Sequence, residues 1–275
     1  MGPLATEELS LVKLHGIGND FLVLLDAGRG RAPAAPDADL ARRLCHRHEG
    51  IGADGLILGT RLDSVDAAMS FVLWNADGSR AEMSGNGVRC LAHAALDDGW
   101  VAEGVPFGVH TPAGRREVTV RRGPGPSTVW AKVGMGTVKV GGEENRCNVG
   151  HGQLLVDVGN PHLVVLGPDP ATVDVGRLGP LLERTDPAGL NVEFVTLGPG
   201  PDTVTMRVWE RGVGETLACG TGSCAAAAAL HHWGRVGPAV TVNQPGGAVA
   251  VEIMADGSAT LAGPSARVAT CRAAR

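Results

Sequence analysis

A chain of 275 residues, 44% hydrophobic and 19% charged, has the makeup of a folded globular protein, long enough for one large domain or two ordinary ones. A net charge of −5, scattered basic residues and only 3% aromatics exclude general nucleic-acid binding. No apolar run reaches the ~18 residues that a membrane-spanning helix needs.

Taken in chain order, the start MGPLATEELS is acidic and lacks the apolar stretch of a secretory signal. Gly2 with Thr6 meets the loose N-myristoylation pattern, which is too short to carry an assignment. Strands are predicted over 9–14 and 21–26, then a helix over 37–48 with Asp37 as its N-cap. Strands follow at 56–60 and 69–74, and a helix begins near 85 and stops before Gly99. Further strands are predicted at 117–121, 128–133, 153–158 and 162–166, with a short helix over 174–183. Strands at 192–197 and 203–209 lead to a helix that opens near 220, carries the run Ala225 to Ala229 and ends before Gly234. The last strands are predicted at 239–242, 248–253 and 267–271. Many strands with few helices suggest curved sheets wrapped around buried helices.

The chain also repeats itself. LWNADGSRAEMSGNGVRCLAHAAL (73–96) aligns with VWERGVGETLACGTGSCAAAAALH (208–231), which sets Trp74 over Trp209 and Ser84 over Cys219. Upstream, IGNDFLVLL (17–25) aligns with VGNPHLVVL (158–166), Asn19 over Asn160. Two such pairs in the same order indicate a duplication, with the Pro/Gly-rich GPGPS at 123–127 as the seam. The expected domains are 1–127 and 128–264, and the default binding site is a cleft between them.

Each half places one residue just before a glycine-mouthed helix. A helix N-terminus offers unpaired N–H groups and partial positive charge, and Gly85, Gly87, Gly220 and Gly222 let a carboxylate approach the backbone. The same field should lower the pKa of Cys219 and make it a thiolate near neutrality. A small carboxylate held between residues 84 and 219 suits removal of an α-proton on one face and its return on the other. His162 and Glu210 are candidates to polarise the surroundings of the thiol, and Arg211 offers a fork for a second carboxylate.

GNDF (18–21), NADGSRAEMSGNG (75–87), GNPH (159–162), NVEFV (191–195) and ERGVGETLACGTG (210–222) resemble the diaminopimelate epimerase family over nearly the whole chain. The resemblance implies a cofactor-free, two-thiol epimerase that interconverts LL- and meso-2,6-diaminopimelate for lysine and cell-wall synthesis. It implies an α/β (α+β-like) fold of two pseudo-symmetric domains, each a curved, mostly antiparallel sheet around a central helix. The final strand (about 265–275) would return to the first domain, and the protein would be a cytoplasmic homodimer without metal, nucleic-acid or membrane partners. Carried over by motif, Asn19, Asn75, Asn160 and Asn191 bind substrate, and Gly85, Asn86, Gly220 and Thr221 cradle the α-carboxylate. Glu210 and Arg211 hold the distal end, and His162 with Glu210 tunes the bases. Cys219 is one catalytic residue, and Ser84 occupies the place of the other.

The chain departs from the family pattern twice. Gly55 stands where some members carry Gln, and Ser84 stands where the family has its first catalytic cysteine. A serine hydroxyl is a far weaker acid than a thiol, and Cys90 lies ~9 Å further along the helix by rise alone. Three readings therefore stay open: an epimerase with Ser84 native or introduced, a one-base isomerase using Cys219 only, and a non-catalytic diaminopimelate binder.

Other motifs yield to simpler readings. GIGADG (50–55) fits G-x-G-x-x-G, but it follows a helix and precedes a strand, the reverse of a dinucleotide site. CHRH (45–48) cannot converge on one metal from a helix end. His231 and His232 suit the last turn of their helix, and Ser84 is not in a G-x-S-x-G elbow. Six cysteines without small-scaffold spacing indicate reduced thiols in a cytosolic protein.

Overall fold

The computed structural model describes residues 8–27, 36–81 and 83–275; Gly2 and Thr6 of the acylation pattern lie outside them. Among the described residues there are seventeen strands, four α-helices and one short 3-10 turn. None of these helices is long and apolar enough to cross a membrane. The chain forms two compact units. The first comprises residues 1–16, 20–131 and 264–275, and the second comprises 17–19 and 132–263.

In the first unit, β1 (Glu8–Gly16), β2 (Asn19–Asp26), β3 (Gly55–Arg61) and β4 (Met69–Asn75) are joined by α1 (Ala38–Cys45). Asp37 caps α1, its carboxylate accepting from Leu40 N at 2.8 Å. The GIGADG loop wraps the end of this helix: Gly50 N bonds His46 O, and Ile51 N and Gly52 N bond Leu44 O. A Cβ at Gly50 would lie 2.2 Å from Arg43 O, so glycine is needed there for close packing rather than for a nucleotide. His46 and His48 are exposed while Cys45 is buried, so CHRH does not converge.

β5 (Arg80–Ala81) then leads to α2 (Gly85–Asp97), followed by the hairpin of β6 (Phe107–Thr111) and β7 (Gly114–Arg122). Residues 85–96 of α2 are all buried, and the helix packs against β1, β3, β4 and β7. A helix buried all round is the centre of its unit, not an amphipathic cover. The cover is α1, whose Leu40, Ala41 and Leu44 pack on Leu9, Leu11, Leu22, Leu24, Leu56 and Trp74.

β8 (Thr128–Thr137) carries the chain into the second unit. There β9 (Lys139–Glu143), β10 (Gly152–Asp157), β11 (Pro161–Leu166), α3 (Val175–Glu183), β12 (Asn191–Leu197), β13 (Thr203–Glu210) and β14 (Gly214–Thr216) precede α4 (Gly220–His232). The hairpin of β15 (Ala239–Gln244) and β16 (Gly247–Ile253) follows, and β17 (Ser258–Ala274) closes the chain. Residues 220–230 of α4 are all buried; its alanine run lets β10 to β13, β15 and β16 pack close to the axis. The outer part of β17 pairs antiparallel with β1, Glu8 opposite Ala274 and Lys13 opposite Ala269.

The two units share one topology, down to the register of their ladders. In the first, β2 runs parallel to β3 with Phe21 opposite Gly55; in the second, β11 runs parallel to β12 with His162 opposite Asn191. Leu56 faces Trp74 as Val192 faces Trp209. Leu73 faces Ala81 as Val208 faces Thr216. A third repeated segment, VHTPAG (109–114) and VNQPGG (242–247), forms the hairpin beside each helix, and Ser70 pairs with His110 as Thr205 pairs with Asn243. Position by position, Phe21 corresponds to His162, Ile57 to Glu193, and Thr111 to Gln244.

Candidate active site

Both buried helices begin in the same way. Ser84 is the N-cap of α2, extended (φ −145, ψ 113), with Oγ accepting from Gly87 N at 3.0 Å. Cys219 is the N-cap of α4 (φ −126, ψ 119), with Sγ accepting from Gly222 N at 3.3 Å. Capping takes up one of the orphan first-turn N–H groups in each helix.

Over the first turn behind Ser84 the packed side chains are apolar. A Cβ on Gly87 would meet Phe71 Cζ at 3.2 Å and Ile57 Cδ1 at 3.3 Å. Asn86 is buried, and its Oδ1 accepts from the fully buried Arg89 at 2.5 Å. Asn75 is half-buried at the end of β4, its Nδ2 donating to Ser79 Oγ at 3.0 Å. Cys90 lies deeper in α2, accepts from Ser265 Oγ at 3.6 Å, and is pushed up to about 12 by burial. It is a structural thiol.

Around Cys219 the setting is polar. His162 and Glu193 are both fully buried, and His162 Nδ1 lies 2.7 Å from Glu193 Oε1. The other ring nitrogen lies 3.0 Å from Asn160 Oδ1. A Cβ on Gly222 would fall 2.7 Å from Glu193 Oε1 and 3.3 Å from Cys219 Sγ, so the carboxylate and the thiol crowd one point at the mouth of α4. Gln244 fastens the cap from behind: Oε1 accepts from Cys219 N at 2.7 Å and Nε2 donates to Ser223 Oγ at 2.9 Å. Ser223 Oγ in turn donates to Cys219 O at 2.7 Å.

Other predicted residues of the second unit surround this centre. Glu210 accepts from Thr216 Oγ1 at 2.5 Å. Asn191 spans two strands, donating to Pro161 O at 3.0 Å and accepting from Arg211 N at 3.0 Å. Arg211 donates through Nη1 to Ala188 O at 3.0 Å. Asn19 follows a left-handed turn at Ile17 (φ 47) and Gly18 (φ 90). This turn is itself part of the second unit and packs there against Leu217 and Gly246, and a β-branched residue at positive φ is stored strain of the kind found at functional sites. A cavity of about 400 Å³ opens beside Asn160 and His162, bordered by Lys139, Asp157 and Asp186.

The expected thiolate at Cys219 is corrected by the structure. Burial, then the charges of Glu210 and Glu193, raise the thiol well above its ordinary value; bonds from Thr221 and Gly222 N–H oppose them and lose. The helix end contributes about half a charge, whereas burial and two carboxylates act together on a residue only 5% exposed. Cys219 therefore rests as a thiol. Sequence reasoning passed over Glu193, Gln244, Thr216 and Ser223. The signal for Glu193 was its place between Val192 and Phe194, in a strand that is buried on both faces.

The sequence profile of the diaminopimelate epimerase family matches residues 11–140 and 154–268. Diaminopimelate epimerase of Desulfitobacterium hafniense is 39% identical over 278 residues, covering 94% of this chain and 96% of that protein. The enzyme of that name from Desulforudis audaxviator is 41% identical, covering 94% and 97%. Among solved structures, a PhzF-family phenazine biosynthesis protein of Bacillus anthracis has the same fold, with a TM-score of 0.74 at 13% identity over 98% of this chain and 100% of that one. With the profile spanning both halves, the chain belongs to the diaminopimelate epimerase family.

Proposed function

We propose that this protein interconverts LL- and meso-2,6-diaminopimelate, an isomerase step that supplies lysine and cell-wall precursors. Family membership over the whole chain supports the reaction class, and one observation carries the site: the family's two acid/base positions are the N-caps of two equivalent buried helices. One residue removes the α-proton and the other returns a proton to the opposite face.

Gly87 N and Gly222 N are taken by the caps themselves. Gly85 and Asn86 open α2 as Gly220 and Thr221 open α4. A helix mouth of this kind suits an α-carboxylate, into which the electron pair released at the α-carbon is delocalised beside the partial positive charge of the helix end. Asn19, Asn75, Asn160 and Asn191 orient the substrate, and Glu210 and Arg211 hold its distal end. Cys219, resting as a thiol, is ready to donate; the sulfur left behind is stabilised by Gly222 N–H and by the Thr221 hydroxyl at 3.5 Å. Ser84 is the weak partner, because its hydroxyl is a poor base in an apolar pocket.

That weakness favours one alternative, in which Cys219 alone exchanges the α-hydrogen on a single face. Incubation with LL-diaminopimelate in D₂O separates the two. The epimerase reading predicts α-deuterium together with the meso isomer, whereas deuterium confined to the LL form establishes one-sided exchange. Absence of uptake on either isomer refutes both. The domain pattern is read as a duplication, 1–127 and 128–264, supported by the shared registers. The cytoplasm is the proposed compartment, supported by six cysteines that are all free thiols. A homodimer is proposed on the family resemblance, to be checked by sedimentation.

A further inference from the structure

The two helix mouths share a scaffold but not their chemistry. A Cβ on Gly87 would meet Ile57 Cδ1, and one on Gly222 would meet Glu193 Oε1, at corresponding positions of corresponding strands. Phe21 likewise stands where the second unit has His162. An apolar residue therefore satisfies this backbone, and packing alone does not call for a carboxylate at 193.

A buried carboxylate is costly unless it is paired and hydrogen-bonded. Glu193 is fully buried on β12 with one oxygen on His162, and its Oε2 has no hydrogen-bond partner among the described residues. The His162 ring is flanked by two acceptors, Glu193 Oε1 on Nδ1 and Asn160 Oδ1 on Nε2. Glu193 and Asn160 thus fix the orientation of the His162 ring from its two nitrogens.

We propose that Glu193 is a positioning residue of the isomerase: its carboxyl group anchors the His162 ring through Nδ1, holds Nε2 against Asn160, and puts a hydrogen-bonded polar pair behind the Cys219 mouth where the first unit has apolar side chains. This rests on the epimerase reading for the reaction, but not for the arrangement. The raised thiol of Cys219, to which Glu193 contributes, is consistent with a mouth that rests protonated. The reaction is then asymmetric by construction. In the second unit the Glu193–His162 pair stands behind Cys219, and in the first unit Ile57 and Phe21 occupy the corresponding positions behind residue 84.

The test compares Glu193→Gln, which keeps an acceptor but loses the charge, with Glu193→Ile, which copies the first unit. Both are made with and without Ser84→Cys. Imidazole ¹⁵N shifts of His162, assigned by their loss in His162→Asn, report the ring directly. Expected are imidazole ¹⁵N shifts that move in both variants, because the partner of Nδ1 changes or is lost, and folding of Glu193→Ile. In the Ser84→Cys background kcat falls on the order of 10²-fold, with KM within about twofold. Unchanged ¹⁵N shifts, or unchanged kcat with altered shifts, overturns the proposal. Altered shifts in a protein that never exchanges the α-hydrogen of diaminopimelate uphold the Glu193–His162 coupling and overturn the substrate reading instead.

Discussion

Gly222 and Gly87 occupy the same turn of equivalent helices, yet alanine should be tolerated at only one of them. A Cβ at 222 lands 2.7 Å from Glu193 Oε1 and 3.3 Å from both Cys219 Cβ and Sγ. The carboxylate cannot swing aside freely, because Oε1 is bound to His162 and both side chains are fully buried. Overpacking costs about 1–3 kcal/mol. Weakening a charged hydrogen bond adds roughly 1.5–3 kcal/mol. Alanine's helical preference over glycine returns about 1 kcal/mol. The net loss for Gly222→Ala is therefore roughly 1.5–5 kcal/mol. At 87 the Cβ meets Phe71 Cζ and Ser84 Cβ at 3.2 Å and Ile57 Cδ1 at 3.3 Å. Apolar side chains can yield a few tenths of an ångström, so the helical preference roughly offsets the crowding. Guanidinium denaturation of both variants reads the difference as a shift in midpoint at constant slope. Equal losses, within about 0.5 kcal/mol, would refute a rigid hydrogen-bonded Glu193–His162 pair over Gly222.

Three further outcomes follow from the same geometry. Gln244→Leu strips the acceptor from Cys219 N, while Ser223 Oγ keeps its bond to Cys219 O, and denaturation should show a loss of about 1–3 kcal/mol for the buried N–H left unpaired. Cys45 and Cys90 are pushed up to about 12 and Cys219 is raised too, so the unfolded chain ionises first and stability falls as pH rises above about 9. Cys90→Ala should flatten that alkaline decline in denaturation midpoints measured between pH 8 and 11. Asp20 works in the opposite direction. Burial raises its pKa, but bonds from Arg47 and Lys13 outweigh burial and lower it, so its contribution is present above its ordinary value of 3.8 and fades as pH falls. Asp20→Asn should weaken the protein at pH 7 and reduce its sensitivity between pH 4 and 2.

The architecture was legible where local chemistry was strong. Asp37, the glycine mouths at 85 and 220 and the alanine run mark α1, α2 and α4 directly. The strands β5 and β14 are two and three residues long and fall below any periodicity. β9, reading KVGGE, is exposed throughout and carries two glycines, so it lacked a strand pattern. β17 was predicted only over 267–271, because Gly263 and Pro264 look like a break, yet the strand begins at Ser258.

The site was legible as positions rather than as charge states. Ser84 and Cys219 are caps, as turn-to-helix residues should be, and the repeat pairs them correctly. The thiolate inference failed because a helix end can be read from sequence, while burial and two converging carboxylates cannot. Glu193 escaped notice for a related reason. In NVEFV a single Glu looks like the solvent face of an alternating strand, and only the packed second unit shows that this strand has no solvent face.

On the proposed function, residue 84 limits an otherwise complete epimerase site. Ser84→Cys should fit without rearrangement, since Cys219 shows the same cap with the N–H bond at 3.3 Å rather than 3.0 Å. The decisive measurement is the rate of meso isomer formation from LL-diaminopimelate by the parent protein and by Ser84→Cys. A gain on the order of 10²–10⁴-fold, abolished by Cys219→Ala, is the result the account predicts. Equal rates for the two proteins, or turnover that survives Cys219→Ala, would contradict it.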